Sequence, residues 1–211
     1  MSLIESRAPA EPIALFRSWY RQAERAAVPQ PDAMTLATAG RGGTPSARMV
    51  LFKGIEGGAF LFYSNYESRK GRDLAVNRKA ALVFYWSATR HQVRVSGAVR
   101  RVSRAASIDY FHSRPRGAQL SALASRQSRV VAARNLLERA VADLDRRYPD
   151  AVPIPADWGG YSLRPAWIEF WENRTDRLHD RLRYVRLPGG QRRKLRAARA
   201  AVKVVERSRA A

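Results

Sequence analysis

The chain has 211 residues, no cysteine and a formal net charge of +21, from 39 basic and 18 acidic side chains. The length suits one domain of ordinary size, and a hydrophobic fraction of 45% supports a core and excludes global disorder. Without cysteine there are no disulfides, thiolate metal sites or cysteine nucleophiles, and three histidines (His91, His112 and His179) are too few for a histidine-rich metal site. No metal is expected.

No apolar run approaches the ~20 residues of a membrane span. Met1 to Ala10 carries Glu5 and Pro9 and lacks the apolar stretch of a signal peptide, so a cytoplasmic location is expected. The charge points to an anionic partner: nucleic acid, phosphorylated small molecules or a membrane surface. It is unevenly spread. From Arg181 onward Glu206 is the sole acid, and about half of the excess charge lies in this last stretch.

In chain order, Pro12 to Val28 reads as an amphipathic helix. Proline sits in its first turn, Ile13, Phe16, Trp19 or Tyr20, and Ala23 recur at helical spacing, and Pro29 and Pro31 stop it. Ala33 to Ala39 is a short strand, followed by a glycine-rich turn at 40–43. Ser46 to Lys53 and Ala59 to Ser64 are strands separated by Gly54 to Gly58. Glu67 to Asn77 reads as helix, and Ala80 to Trp86 and Gln92 to Val102 as strands. Short strands joined by tight turns imply an antiparallel barrel.

The second half opens with a helix at Ser103 to Ser113, ending near Pro115. A longer helix follows at Val130 to Tyr148, with Val130, Val131, Leu136, Leu137, Val141 and Leu144 as its apolar stripe. Pro149, Pro153 and Pro155 form a stiff linker. Strands return at Tyr161 to Leu163, Trp167 to Trp171 and Arg181 to Leu187, before a break at Pro188, Gly189 and Gly190. Gln191 to Ala211, rich in alanine and arginine, favours helix or disorder and shows no strand pattern. The expected organisation is one α+β domain over 1–190 and a basic tail over 191–211, with no internal repeat.

Several segments carry the residue types of a site for a phosphorylated aromatic ligand. In Arg177-Leu178-His179-Asp180-Arg181, an extended backbone would turn Arg177, His179 and Arg181 to one face. Arginine offers a rigid fork for phosphate or carboxylate, and histidine exchanges a proton near neutral pH. The alternative is a solvated basic strand. Arg48-Met49-Val50-Leu51-Phe52-Lys53 sets two cations around an apolar strand, or is a buried strand with charged ends. Tyr63-Ser64-Asn65-Tyr66-Glu67-Ser68-Arg69-Lys70 ends a strand in polar groups and begins a helix with cations in its first turn. Those cations oppose the helix dipole, so an anion there would compensate them; solvated side chains are the alternative. Gln92, Gln127 and Ser128 can pair with the edge of a heterocycle. Tyr110 and Arg114, four apart on a helix face, suit a second phosphate, and His112 reads as structural.

The motifs RMVLFK, YSNYESRK, YFHSRPRG, SRQS and WENRTDRLHDR occur in the order seen in the pyridoxamine 5′-phosphate oxidase family, and the chain resembles that family from about Pro12 to Leu187. The resemblance implies an FMN-binding split β-barrel with Greek-key character and flanking helices, working as a homodimer with FMN in the cleft between subunits. It implies cofactor contacts from Arg48, Met49, Val50, Leu51, Lys53, Tyr63, Ser64, Arg69, Lys70, Gln92, Gln127, Ser128, Trp171 and Arg181. Lys53, Tyr110 and Arg114 would hold the substrate phosphate, and Arg177 and His179, the catalytic pair, would sit beside the pyridine ring. The implied reaction oxidises pyridoxamine or pyridoxine 5′-phosphate to pyridoxal 5′-phosphate, with O2 reduced to H2O2.

Three departures from the family pattern are visible. Ala118 stands where the family usually has a serine for the substrate phosphate. Met1 to Ala10 has no counterpart of an N-terminal arm that carries arginine and tyrosine over the substrate. The tail lacks the terminal tryptophan-bearing strand. The rival readings are a phenazine-biosynthesis type of oxidase with the same fold, a flavin-binding homologue of reduced activity, and, from charge alone, a nucleic-acid-binding protein. The last would use the basic tail, since no helix-turn-helix, finger or RNA-recognition motif is present.

Overall fold

A computed structural model describes residue 3 and residues 8–176, 179–187 and 192–196. It contains five helices and nine strands: α1 Pro12–Arg25, β1 Ala33–Ala39, β2 Pro45–Leu51, β3 Ile55–Glu56, β4 Ala59–Asn65, α2 Arg69–Val76, β5 Lys79–Trp86, β6 His91–Arg101, α3 Arg104–Ser113, α4 Arg116–Ala124, α5 Arg134–Arg147, β7 Trp158–Glu172, β8 Asp180–Arg186 and β9 Arg192–Arg196. The strands belong to one sheet in the order β2-β1-β5-β6-β7-β4-β3, with β8 paired to β7 and β9 to β8. The sheet is antiparallel and does not close on itself. Its strands supply two compact units, with β5, β6 and β7 running through both.

The first unit comprises 8–31, 83–95 and the described residues from 166 onward. Helix α1 buries Leu15, Phe16, Trp19 and Ala23 at helical spacing. Phe16 meets Phe84 edge-on at 5.0 Å, and Trp19 meets Phe170 at 5.2 Å. Burial of side chains this size contributes ~1.5–3 kcal/mol each. The helix ends at Arg25, three residues before the expected Val28, because Ala27 takes a φ of +49° and the Val28 N–H turns back to the Ala23 carbonyl.

The second unit comprises 32–82 and 96–165. β1 alternates strictly, burying Met34 and Leu36, and pairs with β2 from Ala33 opposite Leu51 to Ala39 opposite Pro45. β4 pairs with the first half of β7, placing Tyr63 opposite Gly160 and Ser64 opposite Gly159. A Cβ on Gly160 would lie 2.7 Å from the Tyr63 ring and 2.6 Å from Val102 Cγ2, so this strand approaches closely only without a side chain. A second core gathers Phe111, Leu120, Val152 and Trp158.

Several expectations change. Tyr161–Leu163 and Trp167–Trp171 are one strand: Pro165 falls between the ladder to β4 and the ladder to β8, where its missing N–H costs no bond in either. The expected stripe from Val130 fails. α5 begins at Arg134, Val130 is fully exposed, and no α5 residue is buried, although Val141 and Leu144 pack against the second core from partly exposed positions. α4 was not anticipated; Pro115 opens it rather than ending a fold element. In the tail, Arg192–Arg196 is a strand, contrary to expectation. Arg193 pairs with Val185, and Lys194 donates to the Ala8 carbonyl, so backbone pairing decides what propensity did not. The rest of the tail lies outside the described residues.

Candidate functional site

The second unit holds a cavity of about 580 Å³. Lining it are Arg48, Met49, Val50 and Leu51 from β2 and Lys53 just beyond it, Tyr63 and Ser64 from β4, Lys70 from α2, Tyr110 and Arg114 around the end of α3, and Gln127 and Ser128 from the loop after α4. Twelve of the expected residues therefore meet here, from five separate stretches of chain. Four of the lining side chains are cations and none is acidic.

Each cation is held differently. Arg48 donates to Thr38 Oγ1 and Ser46 Oγ, both at 2.7 Å, with Asp73 at 3.9 Å, and burial lowers its pKa. Lys53, just beyond β2, pairs with Asp32 at 3.0 Å. Ser68 caps α2 by accepting from the Gly71 N–H. This sets Arg69 and Lys70 in the first turn, where the dipole disfavours them. Lys70 is 6% exposed. Its Nζ donates to Ser64 Oγ at 3.1 Å, Ser68 Oγ at 3.3 Å and Gln127 Oε1 at 2.9 Å, all neutral acceptors. Burial, reinforced by nearby Arg48, pushes the Lys70 amine down to about 8.

Ser128 has a φ of +68°, a left-handed conformation that side chains rarely adopt, and its Oγ accepts the Arg69 N–H at 3.3 Å. Strain of this kind persists where the surroundings over-determine it, often at functional sites. Arg69 itself does not line the cavity.

An aromatic tier forms one side. Tyr63 stacks on Tyr110 with ring centres 3.9 Å apart and on Trp158 at 5.6 Å, and the Arg114 guanidinium lies 4.9 Å above Trp158. Arg114 is the residue after α3, not part of its face as expected: its ψ of 151° leaves the helix, and this turns it over Trp158. Its Nη1 is buried with no hydrogen-bond partner among the described residues, and burial lowers its pKa. Burial also raises Tyr63, with Tyr110 adding to the effect. Trp158 was missed by sequence reasoning. A tryptophan ahead of two glycines was the available signal, but its partners are remote in the chain. Ala118 lies outside the lining residues, whereas Ser121, Ala122 and Ser125 are among them. His112 bonds to the Val152 carbonyl, a structural contact.

Gln92, Trp171, His179 and Arg181 belong to the first unit. Gln92 is on β6. Trp171 is on β7, where it pairs with Arg181 of β8. The strand begins at Asp180, so the expected extended run from Arg177 does not include His179. The His179 ring lies 4.8 Å from Trp171, and its Nδ1 accepts the Arg174 N–H at 3.2 Å. Arg177 lies outside the described residues. Arg181 donates to Glu169 Oε1 at 2.9 Å.

A cavity lined by four cations and by aromatic rings, with no acidic side chain, has the donor set that suits a phosphorylated planar ligand. Comparison with known proteins supplies the family: models for pyridoxamine 5′-phosphate oxidase and for a pyridoxine 5′-phosphate oxidase C-terminal dimerisation region match residues 20–147 and 158–197. The chain belongs to the pyridoxamine 5′-phosphate oxidase family and is an oxidoreductase.

Among its relatives, the pyridoxine/pyridoxamine 5′-phosphate oxidase of Salinibacter ruber is 53% identical over 178 residues, covering 83% of each chain. The enzyme of the same name from Cupriavidus metallidurans is 49% identical over 183 residues, covering 87% of this chain and 86% of that one. Of solved structures, PhzG from Burkholderia lata, in complex with tetrahydrophenazine-1-carboxylic acid, is 33% identical with a TM-score of 0.87, covering 92% of this chain and 95% of that one. A pyridoxamine 5′-phosphate oxidase-related, FMN-binding protein from Nostoc punctiforme shares the fold at 18% identity and a TM-score of 0.73, covering 89% and 97%. No helix among the described residues is long and apolar enough to cross a membrane.

Proposed function

We propose that the chain is an FMN-dependent oxidase that converts pyridoxamine or pyridoxine 5′-phosphate to pyridoxal 5′-phosphate, acting as a homodimer. The observation that carries this reading is a pair of cations without anionic partners among the described residues: buried Lys70, bonded to neutral oxygens, and half-buried Arg114, whose Nη1 is buried and unpaired. A buried charge is costly unless paired, so a ligand phosphate at each is the missing counter-charge. This donor set fits FMN and a phosphorylated substrate together.

Arg48, Lys53, Ser64, Arg69, Lys70, Gln127 and Ser128 would hold FMN along with the backbone of Met49 to Leu51 and the Tyr63 strand, and Gln92, Trp171 and Arg181 are the family's other cofactor positions. Tyr110, Arg114 and Lys53 would take the substrate phosphate. FMN, when bound, supplies the acceptor for the hydride equivalent lost from the substrate C4′ carbon and passes the electron pair to O2 as H2O2. The chain's residues bind and orient. Arg114, fixed over Trp158, presents its open edge to the phosphate. His179 accepts the Arg174 N–H at Nδ1, so a neutral ring carries its proton on Nε2, which is then the atom that exchanges protons beside the pyridine ring. Arg177 would accompany it.

The test is visible absorption of FMN-loaded protein. Anaerobic pyridoxamine 5′-phosphate should bleach the flavin band, and air should restore it with release of H2O2 and pyridoxal 5′-phosphate. A protein that takes up no FMN sinks the reading. A second reading, oxidation of a phenazine precursor, is favoured by the likeness to the Burkholderia lata structure. Turnover of a dihydrophenazine carboxylate faster than of pyridoxamine 5′-phosphate would select it, whereas dependence on Arg114 argues for the phosphorylated substrate.

A further inference from the structure

We propose that Glu169 is a positioning residue that fixes the guanidinium of Arg181 for the cofactor; this rests on the FMN reading above. Glu169 sits on β7 and is 1% exposed. Its Oε1 accepts from Arg94 Nη1 at 3.1 Å and from Arg181 Nη2 at 2.9 Å, and its Oε2 accepts from Arg183 Nε at 3.0 Å and Nη2 at 2.6 Å. Arg94 and Arg183 are further held over the Trp167 ring, at 5.5 and 4.7 Å.

One carboxylate on β7 thus serves three guanidiniums from the two strands beside it, Arg94 of β6 and Arg181 and Arg183 of β8. Stability alone argues against such a group, because it gathers like charges around a buried acid and neutralises only one of them. Two positive charges are left over. Burial by itself would raise the Glu169 carboxyl, but the bonds from Arg181 and Arg183 outweigh it and hold the group below the usual carboxylate range, so it stays ionised.

Arg183 and Arg94 have a second anchor in Trp167. Arg181 is held differently: its Nη2 is pinned to Glu169 while its Nε is buried with no hydrogen-bond partner among the described residues. Glu169 is therefore what keeps this arginine in one orientation before a ligand arrives, which lowers the ordering cost on binding. Among the described residues its hydrogen bonds go to Arg94, Arg181 and Arg183, of which Arg181 is the expected cofactor position, so its effect passes through Arg181.

FMN titration by flavin fluorescence quenching tests this, with folding followed by circular dichroism melting. Glu169→Gln should weaken FMN binding about tenfold or more, the scale of one charge-assisted hydrogen bond. Arg181→Ala should do the same, and the double variant should be no weaker than either single one. Arg94→Met, which leaves the Glu169–Arg181 bond in place, should stay within about threefold of wild type. If Glu169→Gln does not fold, Glu169→Asp keeps the charge but draws the carboxylate back by one methylene, and FMN binding should still weaken. Wild-type affinity in a folded Glu169 variant, or full additivity with Arg181→Ala, overturns the proposal alone. Failure of wild-type protein to bind FMN overturns the function reading with it.

Discussion

Replacing Lys70 by methionine should stabilise the FMN-free protein while weakening its hold on FMN. The Lys70 amine is buried among neutral oxygens, and burial lowers it from 10.5 to about 8. At ~1.36 kcal/mol per pK unit, holding that charge at pH 7 costs about 3 kcal/mol. Methionine removes the cost, fills similar space and forfeits the amine's hydrogen bonds, worth roughly 1–2 kcal/mol together. The partners stay satisfied: Ser64 still donates to Gln127, and Ser68 to the Asn65 carbonyl. The net gain is about 1–2 kcal/mol, a rise of roughly 2–6 °C in melting temperature for a chain of this size.

The pH dependence carries the diagnostic sign. Between about 8 and 10.5 the unfolded chain keeps the Lys70 proton and the folded one does not, so wild-type stability rises with pH in that window. The advantage of the methionine variant should be full below pH 8, pass through zero within that window, and become a deficit of about 1–2 kcal/mol above 10.5, where the neutral amine keeps its hydrogen bonds without the cost of charge. Differential scanning calorimetry of the flavin-stripped pair from pH 7 to 10.5, with FMN titrations at pH 7, measures both effects. The reasoning is refuted if the variant melts below wild type at pH 7, if the gap does not close with pH, or if FMN binds both equally.

Other outcomes follow from the same geometry. Arg114→Met should raise KM for pyridoxamine 5′-phosphate by roughly 10–100-fold with little change in kcat, since it removes a contact made alike in ground and transition states; steady-state kinetics decides. Ala118→Ser, in the first turn of α4 and four residues before the cavity-lining Ala122, should tighten the phosphorylated substrate by up to about tenfold, and an unchanged KM would show that a hydroxyl there does not reach the phosphate. Gly160→Ala should cost ~1–3 kcal/mol through overpacking against Val102 and displace the Tyr63 ring, seen as a lower melting temperature together with a raised KM. His91, stacked on Trp19 at 3.9 Å, is lowered to about 4 by burial. It stays neutral in the fold, so stability should be lost as pH falls from 6.5 towards 4, by about 3 kcal/mol. In His91→Phe, urea titrations across that range should show a flatter acid limb.

Much of this protein was legible in one dimension. The glycine-rich turn at 40–43 marked the end of a short strand at Ala33–Ala39, and Pro12 with apolar residues at helical spacing marked α1, because both signals are local. Ser68, Arg69 and Lys70 announced a helix start that wants an anion, because the frustration of cations against a dipole is written in three adjacent residues. Other features needed the folded chain. Pro165 reads as a break until two different partner strands are seen on either side of it. Arg193 reads as tail until β8 offers its edge. Arg114 reads as a helix-face residue until the backbone leaves the helix and sets it over Trp158, and Glu169 reads as an ordinary strand acid until three arginines from β6 and β8 close on it. Composition and local pattern dictate which segments form and what charge they carry. Which cations are left buried without a counter-charge is decided by contacts between segments far apart in the chain, and on that the candidate chemistry depends.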